Sequence, residues 1–85
     1  MNALIVLDIP VDPTTDVFII VGQKIKKKRL EKKMKQQDLA AAIDIEKTNL
    51  SRIEAGRTNP TLWTLLKISH ALEVPVTELL EGIIL

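Results

Sequence analysis

The stretch Gln36–Pro60 constrains the fold of this 85-residue chain more than any other part of the sequence. Each half of the stretch places apolar side chains at helical spacing, so each half predicts a short helix. These side chains are Leu39, Ala40 and Ile43 in the first half and Leu50 and Ile53 in the second. Asp44 stands between the halves, and aspartate tolerates the left-handed backbone that a sharp turn requires. The pattern therefore predicts two short helices joined by a tight turn.

The second of these helices leaves a polar band on its outer side. When Leu50 and Ile53 face inward, the side chains that remain free to project are Lys47, Thr48, Asn49 and Arg52. Two short helices with such an outer face have the layout of a helix-turn-helix, whose second helix enters the major groove of DNA. The sequence thus indicates a DNA-binding domain.

Composition excludes several other functions. The chain is 46% apolar and 27% charged, as is usual for one globular domain. It has no cysteine and only one histidine, His70, which excludes a zinc finger, a disulfide framework and a cysteine nucleophile. The sequence shows no glycine-rich phosphate loop, catalytic carboxylate pair or triad. We therefore expect no enzyme activity, no metal and no cofactor, and interpret His70 as a surface or packing residue.

Basic residues are concentrated in one part of the chain. All 12 lysines and arginines lie from Lys24 onward, and eight of them lie between Lys24 and Lys35. Such a cluster is equally typical of a solvated helix face and of a surface that faces DNA phosphates.

The amino-terminal region contains two apolar runs, residues 3–7 and 17–21, separated by acidic residues and prolines. Each run is far shorter than the ~20 residues of a membrane span, and the start lacks the positive charge of a signal peptide. We expect no membrane association and a cytoplasmic protein. Residues 1–17 are interpreted as an apolar arm, extended or β-like, that pairs with residues 18–21, with residues 83–85 or with a second subunit. A helix that begins near Thr15 is the alternative.

The remaining pattern predicts three further helices. Helix 1 runs from Phe18 or Gly22 to Lys32, with Ile25, Leu30 and Met34 inward. Gly56 ends helix 3, and Thr61 caps helix 4. The predicted inner stripe of helix 4 consists of Leu62, Leu65, Leu66, Ile68 and Leu72, and a short helix 5 covers residues 77–80. The predicted fold is all-α, a compact five-helix bundle over residues 18–81 with an apolar tail at 82–85.

Several motifs in this order carry a resemblance to a known family. They are Gly22–Ile25 with Arg29, Met34–Ala40, Leu50–Arg57, Asn59–Leu62, and Leu65–Ile68 with Leu72. Over residues 22–80 the chain resembles the lambda-repressor-like helix-turn-helix proteins, which include phage repressors, Cro, antitoxins and small bacterial regulators. The resemblance implies a transcriptional regulator that binds double-stranded DNA, as a homodimer on a palindromic operator with helix 3 in the major groove.

The resemblance also implies roles for individual residues. Those matching the family's base-reading positions are Lys47, Thr48 and Arg52. Those implied to contact the DNA backbone are Gln36, Asn49, Arg57, Thr58 and Asn59. Arg29 and Glu54 match a structural ion pair between helices 1 and 3. The chain departs from the family pattern at Lys28, Lys35, Asp44 and Glu46.

Three questions remain open on the sequence alone. A protein-interaction module of the same fold, such as an antitoxin-like partner-binding protein, would lack specific DNA readout, and Glu46 favours it. The amino-terminal arm would then suit a protein partner. Trp63 either covers the edge of the core or lies at a subunit contact, where aromatic residues are enriched. A phage repressor, a restriction–modification controller and an antitoxin are not distinguished.

Overall fold

The computed structural model describes residues 13–83, with side chains from Val17 onward. It contains five helices, which are α1 Pro13–Glu31, α2 Gln36–Ala42, α3 Lys47–Glu54, α4 Leu62–Leu72 and α5 Val76–Leu80. No strand occurs within residues 13–83. The all-helical fold expected from the sequence is therefore confirmed.

Helix α1 begins at Pro13, earlier than the predicted start at Phe18 or Gly22 and close to the alternative start near Thr15. Proline is favoured at the first position of a helix because its missing N–H has no partner there in any case. Residues 13–17 are therefore helical rather than part of an extended arm, and residues 18–21 are helical rather than a strand that could pair with it. The rest of the predicted arm, residues 1–12, lies outside the described residues, as do residues 84–85 of the predicted tail.

The core lies between all five helices. Its buried apolar side chains are Val21, Ile25, Leu39, Ala40, Ile43, Leu50, Ile53, Ile68, Leu72 and Leu79. Met34 is partly buried and packs against this cluster, as predicted. The prediction for Leu30 was wrong, because its side chain is 54% exposed. The preceding residue, Arg29, is buried and points inward at this turn of α1. The Leu30 side chain therefore points outward.

Helices α1 and α3 cross at Gly22. A Cβ atom at this position would lie 2.5 Å from the carbonyl oxygen of Ile53 and 2.6 Å from that of Glu54. Any side chain would therefore push the two backbones apart. The absence of a side chain at Gly22 fixes how closely α1 approaches the carboxyl end of α3.

The helices α1 to α4 all end in the same way, with one left-handed residue after the helix. These residues are Lys33, Asp44, Gly56 and Glu73, with φ of 59°, 58°, 74° and 58°. In each case the next residue donates its N–H back to a carbonyl five positions earlier, for example Ile45 N to Ala40 O at 3.0 Å. This pair of features is the Schellman motif, which satisfies the last carbonyls of a helix.

Helix α4 is capped as predicted but oriented differently. Thr61 Oγ1 accepts a hydrogen bond from the backbone N–H of Thr64 at 3.0 Å. Leu62 and Leu66 were predicted to face inward, and they are 66% and 37% exposed. Because residues advance by about 100° around a helix, the face that buries Ile68 and Leu72 leaves Leu66 turned outward, and Leu62 lies in the exposed first turn.

Candidate nucleic-acid interface

The outer face of α3 carries four exposed polar residues. They are Lys47, Thr48, Asn49 and Arg52, and the opposite face of the helix is buried through Leu50 and Ile53. The turn before α3 holds this arrangement through Asp44, whose N–H donates to Ala41 O at 3.2 Å. Within the described residues, neither Lys47 nor Arg52 forms an ion pair. This face can therefore donate hydrogen bonds to a ligand without first breaking internal ones.

Gln36, at the start of α2, is half-buried and is tied to α3. Its Nε2 donates a hydrogen bond to Glu54 Oε1 at 3.0 Å. A carboxylate can only accept hydrogen bonds, so it selects the amide orientation that places nitrogen toward Glu54. The second N–H of the same nitrogen stays available to an acceptor outside.

Arg29 and Glu54 form the ion pair that the family resemblance implied. Arg29 Nε lies 2.7 Å from Glu54 Oε2, and Nη2 lies 3.0 Å from Oε1. Arg29 Nη1 also donates to the carbonyl oxygen of Met34 at 2.7 Å. Both residues are buried, at 6% exposure each. This two-point pairing joins α1, the α1–α2 turn and α3, and it compensates for the cost of burying both charges.

The loop after α3 continues the same surface. Arg57 and Asn59 are exposed and Thr58 is half-buried. Gly56 starts the loop with its positive φ, and a Cβ there would lie 2.7 Å from the Cα of Ile19. The early start of α1 thus places Ile19 against the loop and limits where the loop can run.

Only some of the basic residues between Lys24 and Lys35 are used inside the fold. Lys28 Nζ lies 3.8 Å from Glu31 Oε1 and 4.0 Å from Glu78 Oε2, which explains how a lysine is accommodated where an apolar residue is usual. Within the described residues, those without an ion pair are Lys24, Lys26, Lys27, Lys33 and Lys35. Five of the eight basic residues in this cluster are therefore not engaged in ion pairs within the described part of the chain.

Lys32, directly after α1, forms an ion pair with Glu73, directly after α4. Lys32 Nζ lies 2.6 Å from Glu73 Oε1. The hydrogen bond and the charge of Lys32 hold the pKa of the Glu73 carboxyl below its ordinary value. The bond joins the residue after α1 to the residue after α4, and it includes no residue of the polar face on α3.

The atypical residues before α2 and α3 are accommodated differently. The backbone N–H of Lys35 donates to Asp38 Oδ2 at 2.9 Å, so Asp38 supplies part of the cap that the Lys35 side chain lacks. Glu46 provides no side-chain hydrogen bond to the start of α3. The exposed Glu46 carboxylate therefore adds a negative charge at one end of the polar face.

A metal centre and a membrane span are two other features that the described part of the chain could have formed. No three potential metal ligands lie together there, and His70 is exposed on α4. None of the described helices combines the length and the apolar character that a membrane span requires.

Comparison with known proteins identifies the family. A helix-turn-helix family model matches residues 25–79. The chain is 42% identical to control protein C.MunI of Mycoplasma sp over 69 residues. This aligned region spans 80% of this chain and 93% of that protein. The chain is 39% identical over 69 residues to control protein C.BamHI of Bacillus amyloliquefaciens, over 80% and 85% of the two chains.

A solved structure agrees with these sequence matches. The restriction-modification controller protein C.AhdI from Aeromonas hydrophila superposes with a TM-score of 0.71 at 27% identity, over 73% of this chain and 94% of that one. The match from α1 to α5 and the outward polar face of α3 lead to one conclusion: the chain belongs to the helix-turn-helix family of DNA-binding transcriptional regulators.

Proposed function

We propose that the protein acts as a homodimer that reads a palindromic operator, with α3 of each subunit in the major groove. In this proposal Lys47, Thr48 and Arg52 contact bases. Lysine and arginine can donate to guanine O6 and N7, and the threonine methyl can pack on a thymine methyl. The residues that hold the DNA backbone are Gln36, Asn49, Arg57, Thr58 and Asn59.

The exposed face of α3 is the observation that carries this proposal. Its projecting residues are polar or basic, which suits DNA, whereas an apolar or acidic face would suit a protein partner. The lysines of α1 that form no ion pair within residues 13–83 add positive charge, and Lys26 lies beside Gln36 at the start of α2, which suits a polyanion. These features favour DNA over the rival interaction module, and only Glu46 speaks for the rival.

The proposed dimer contact lies on α4. Leu62 and Trp63 are 66% and 67% exposed, and Leu66 adds to the same apolar surface, which we call the α4 patch. Adjacent exposed apolar side chains of this size are characteristic of interaction sites. A second copy of the chain suits the patch. Two copies related by a two-fold axis would each cover the same three residues of the other subunit.

We further propose that the protein controls a restriction–modification system, from its likeness to C.MunI, C.BamHI and C.AhdI. The phage-repressor and antitoxin alternatives lack comparable support, because the named control proteins match over most of both chains. A regulator of this kind acts where the genome lies, in the cytoplasm, and needs no enzyme activity.

Duplex binding measured across a salt series tests the proposal. We expect the full-length protein to bind a mixed duplex pool, and to bind the DNA upstream of its own coding sequence more tightly. Because phosphate contacts release counterions, both affinities should fall steeply with salt. Absence of duplex binding at about 50 mM salt would contradict DNA binding. Equal affinity for upstream and unrelated DNA would contradict only the sequence-specific part.

A further inference from the structure

A small depression lies beside Gln36, on the side that faces α1. It has a volume of about 170 Å³ and is lined by Lys26, Gln36, Ser51, Glu54 and Ala55. Three of these residues bring a hydrogen-bond donor, each from a different helix: the ammonium of Lys26, the amide of Gln36 and the hydroxyl of Ser51. We call this depression the Lys26 cleft.

The one acidic group in the Lys26 cleft is already paired. Both oxygens of Glu54 accept hydrogen bonds from Arg29, at 2.7 and 3.0 Å, and Oε1 also accepts from Gln36. The negative charge of Glu54 is therefore neutralised by the buried guanidinium of Arg29. An anion that enters the cleft meets the Gln36 N–H and the Lys26 cation without a net opposing charge.

Lys26 has no competing partner within the described residues. It is exposed, and it is absent from the ion pairs that engage Lys28 and Lys32. Its neighbour Lys27 is also exposed but does not line the cleft. The two lysines are thus alike in charge and exposure and differ in position.

From these observations we propose that the Lys26 cleft binds one phosphate of the DNA backbone, with Lys26 as its charged ligand, Gln36 as its oriented donor and Ser51 as its hydroxyl donor. This proposal rests on the proposed function, and it adds Lys26 and Ser51 to the contacts implied by the family resemblance. Glu54 acts as a positioning residue, because it touches Gln36 and does not itself bind the phosphate.

The test compares Lys26→Ala with Lys27→Ala in duplex binding across a salt series, measured by fluorescence anisotropy. Loss of a charge-assisted contact should weaken binding by Lys26→Ala about tenfold and lower the slope of log K against log salt by about one. Lys27→Ala removes the same charge from the basic surface of α1 but no ligand of the cleft, so its loss of affinity should be clearly smaller, about twofold. Equal losses in the two variants would overturn the assignment of Lys26.

A second readout separates this proposal from the proposed function. Inorganic phosphate titrated into the wild-type protein should shift the NMR resonances of the Gln36 side-chain amide, and should not do so in Lys26→Ala. If duplex binding is absent while this shift occurs, the cleft is an anion site and the DNA-binding proposal fails. If phosphate and duplex both leave the Gln36 resonances unchanged, the Lys26 cleft is overturned.

Discussion

Gln36 Nε2 donates a 3.0 Å hydrogen bond to Glu54 Oε1, which links the start of α2 to a buried carboxylate. Glu54 is in turn held by Arg29 from α1. A residue proposed to hold the DNA backbone is therefore oriented from inside the core. The stability of the fold and the proposed DNA contact of Gln36 therefore share the residue Glu54. Variants at different residues can separate the effect on stability from the effect on binding.

Glu54→Ala should strongly destabilise the fold. The substitution leaves the buried Arg29 guanidinium without its partner, at a cost of about 3–5 kcal/mol in the free energy of unfolding. Urea denaturation followed by circular dichroism measures the change. Glu46→Ala, which removes an exposed acid, serves as the control and should change stability by no more than about 0.5 kcal/mol. Similar losses in the two variants would contradict the structural role of the Arg29–Glu54 pair.

Gly22→Ala should also lower stability, for a steric reason. The added Cβ would lie 2.5 Å from Ile53 O, so α1 and α3 must separate. Overpacking of this kind costs about 1–3 kcal/mol. The control is Gln23→Ala, at the next and exposed position of α1. An unchanged denaturation midpoint for Gly22→Ala would show that the helices do not cross as closely as described.

The α4 patch predicts a specific fluorescence change. Trp63 is the only tryptophan, so its emission reports this surface alone. If a second copy covers the patch, raising the protein concentration should shift the emission to shorter wavelength as the mass in light scattering doubles. Trp63→Ser should remain monomeric, and Leu30→Ser, which alters an exposed leucine on α1, should still dimerise. A monomer at all concentrations would exclude the dimer, and a dimer in Trp63→Ser would place its contact elsewhere.

The Lys32–Glu73 pair predicts a pH dependence. Because Lys32 lowers the pKa of Glu73 in the folded state, the pair contributes stability above the unfolded pKa of glutamate. That contribution is lost as the pH falls through the folded pKa. Carbon NMR of the Glu73 carboxyl should show a midpoint below that of an ordinary glutamate, and Lys32→Ala should return it to the ordinary range. High salt should weaken the shift, since the pair is exposed.

Sequence patterns predicted the parts of the fold that local chemistry determines. Asp44 and Gly56 were recognisable as left-handed helix ends because their residue types favour that backbone. Lys33 and Glu73 adopt the same conformation without any such signature, since tertiary packing ends those helices. Proline at position 13 was an available signal for the start of α1, but the acidic and proline-rich surroundings suggested an arm.

The features of the site likewise fall into those that a local sequence pattern predicts and those that only the three-dimensional fold creates. Helical spacing was enough to predict the outward face of α3, because one helix determines it. The bond between Gln36 and Glu54 joins residues 18 positions apart on two helices, and no local pattern reports such a contact. Lys26 was one of several similar lysines in the sequence. Only the placement of α1 against α2 and α3 distinguishes it.

The central claim, that α3 reads bases while Gln36 holds the backbone, is tested most directly by selecting bound duplexes from a random pool. We expect the wild-type protein to enrich a palindromic sequence. Lys47→Ala should lose preference at one or two base positions in each half-site, whereas Gln36→Ala should bind all sequences more weakly with the same preference. An unchanged preference in Lys47→Ala, or no enriched sequence for the wild type, would contradict the claim.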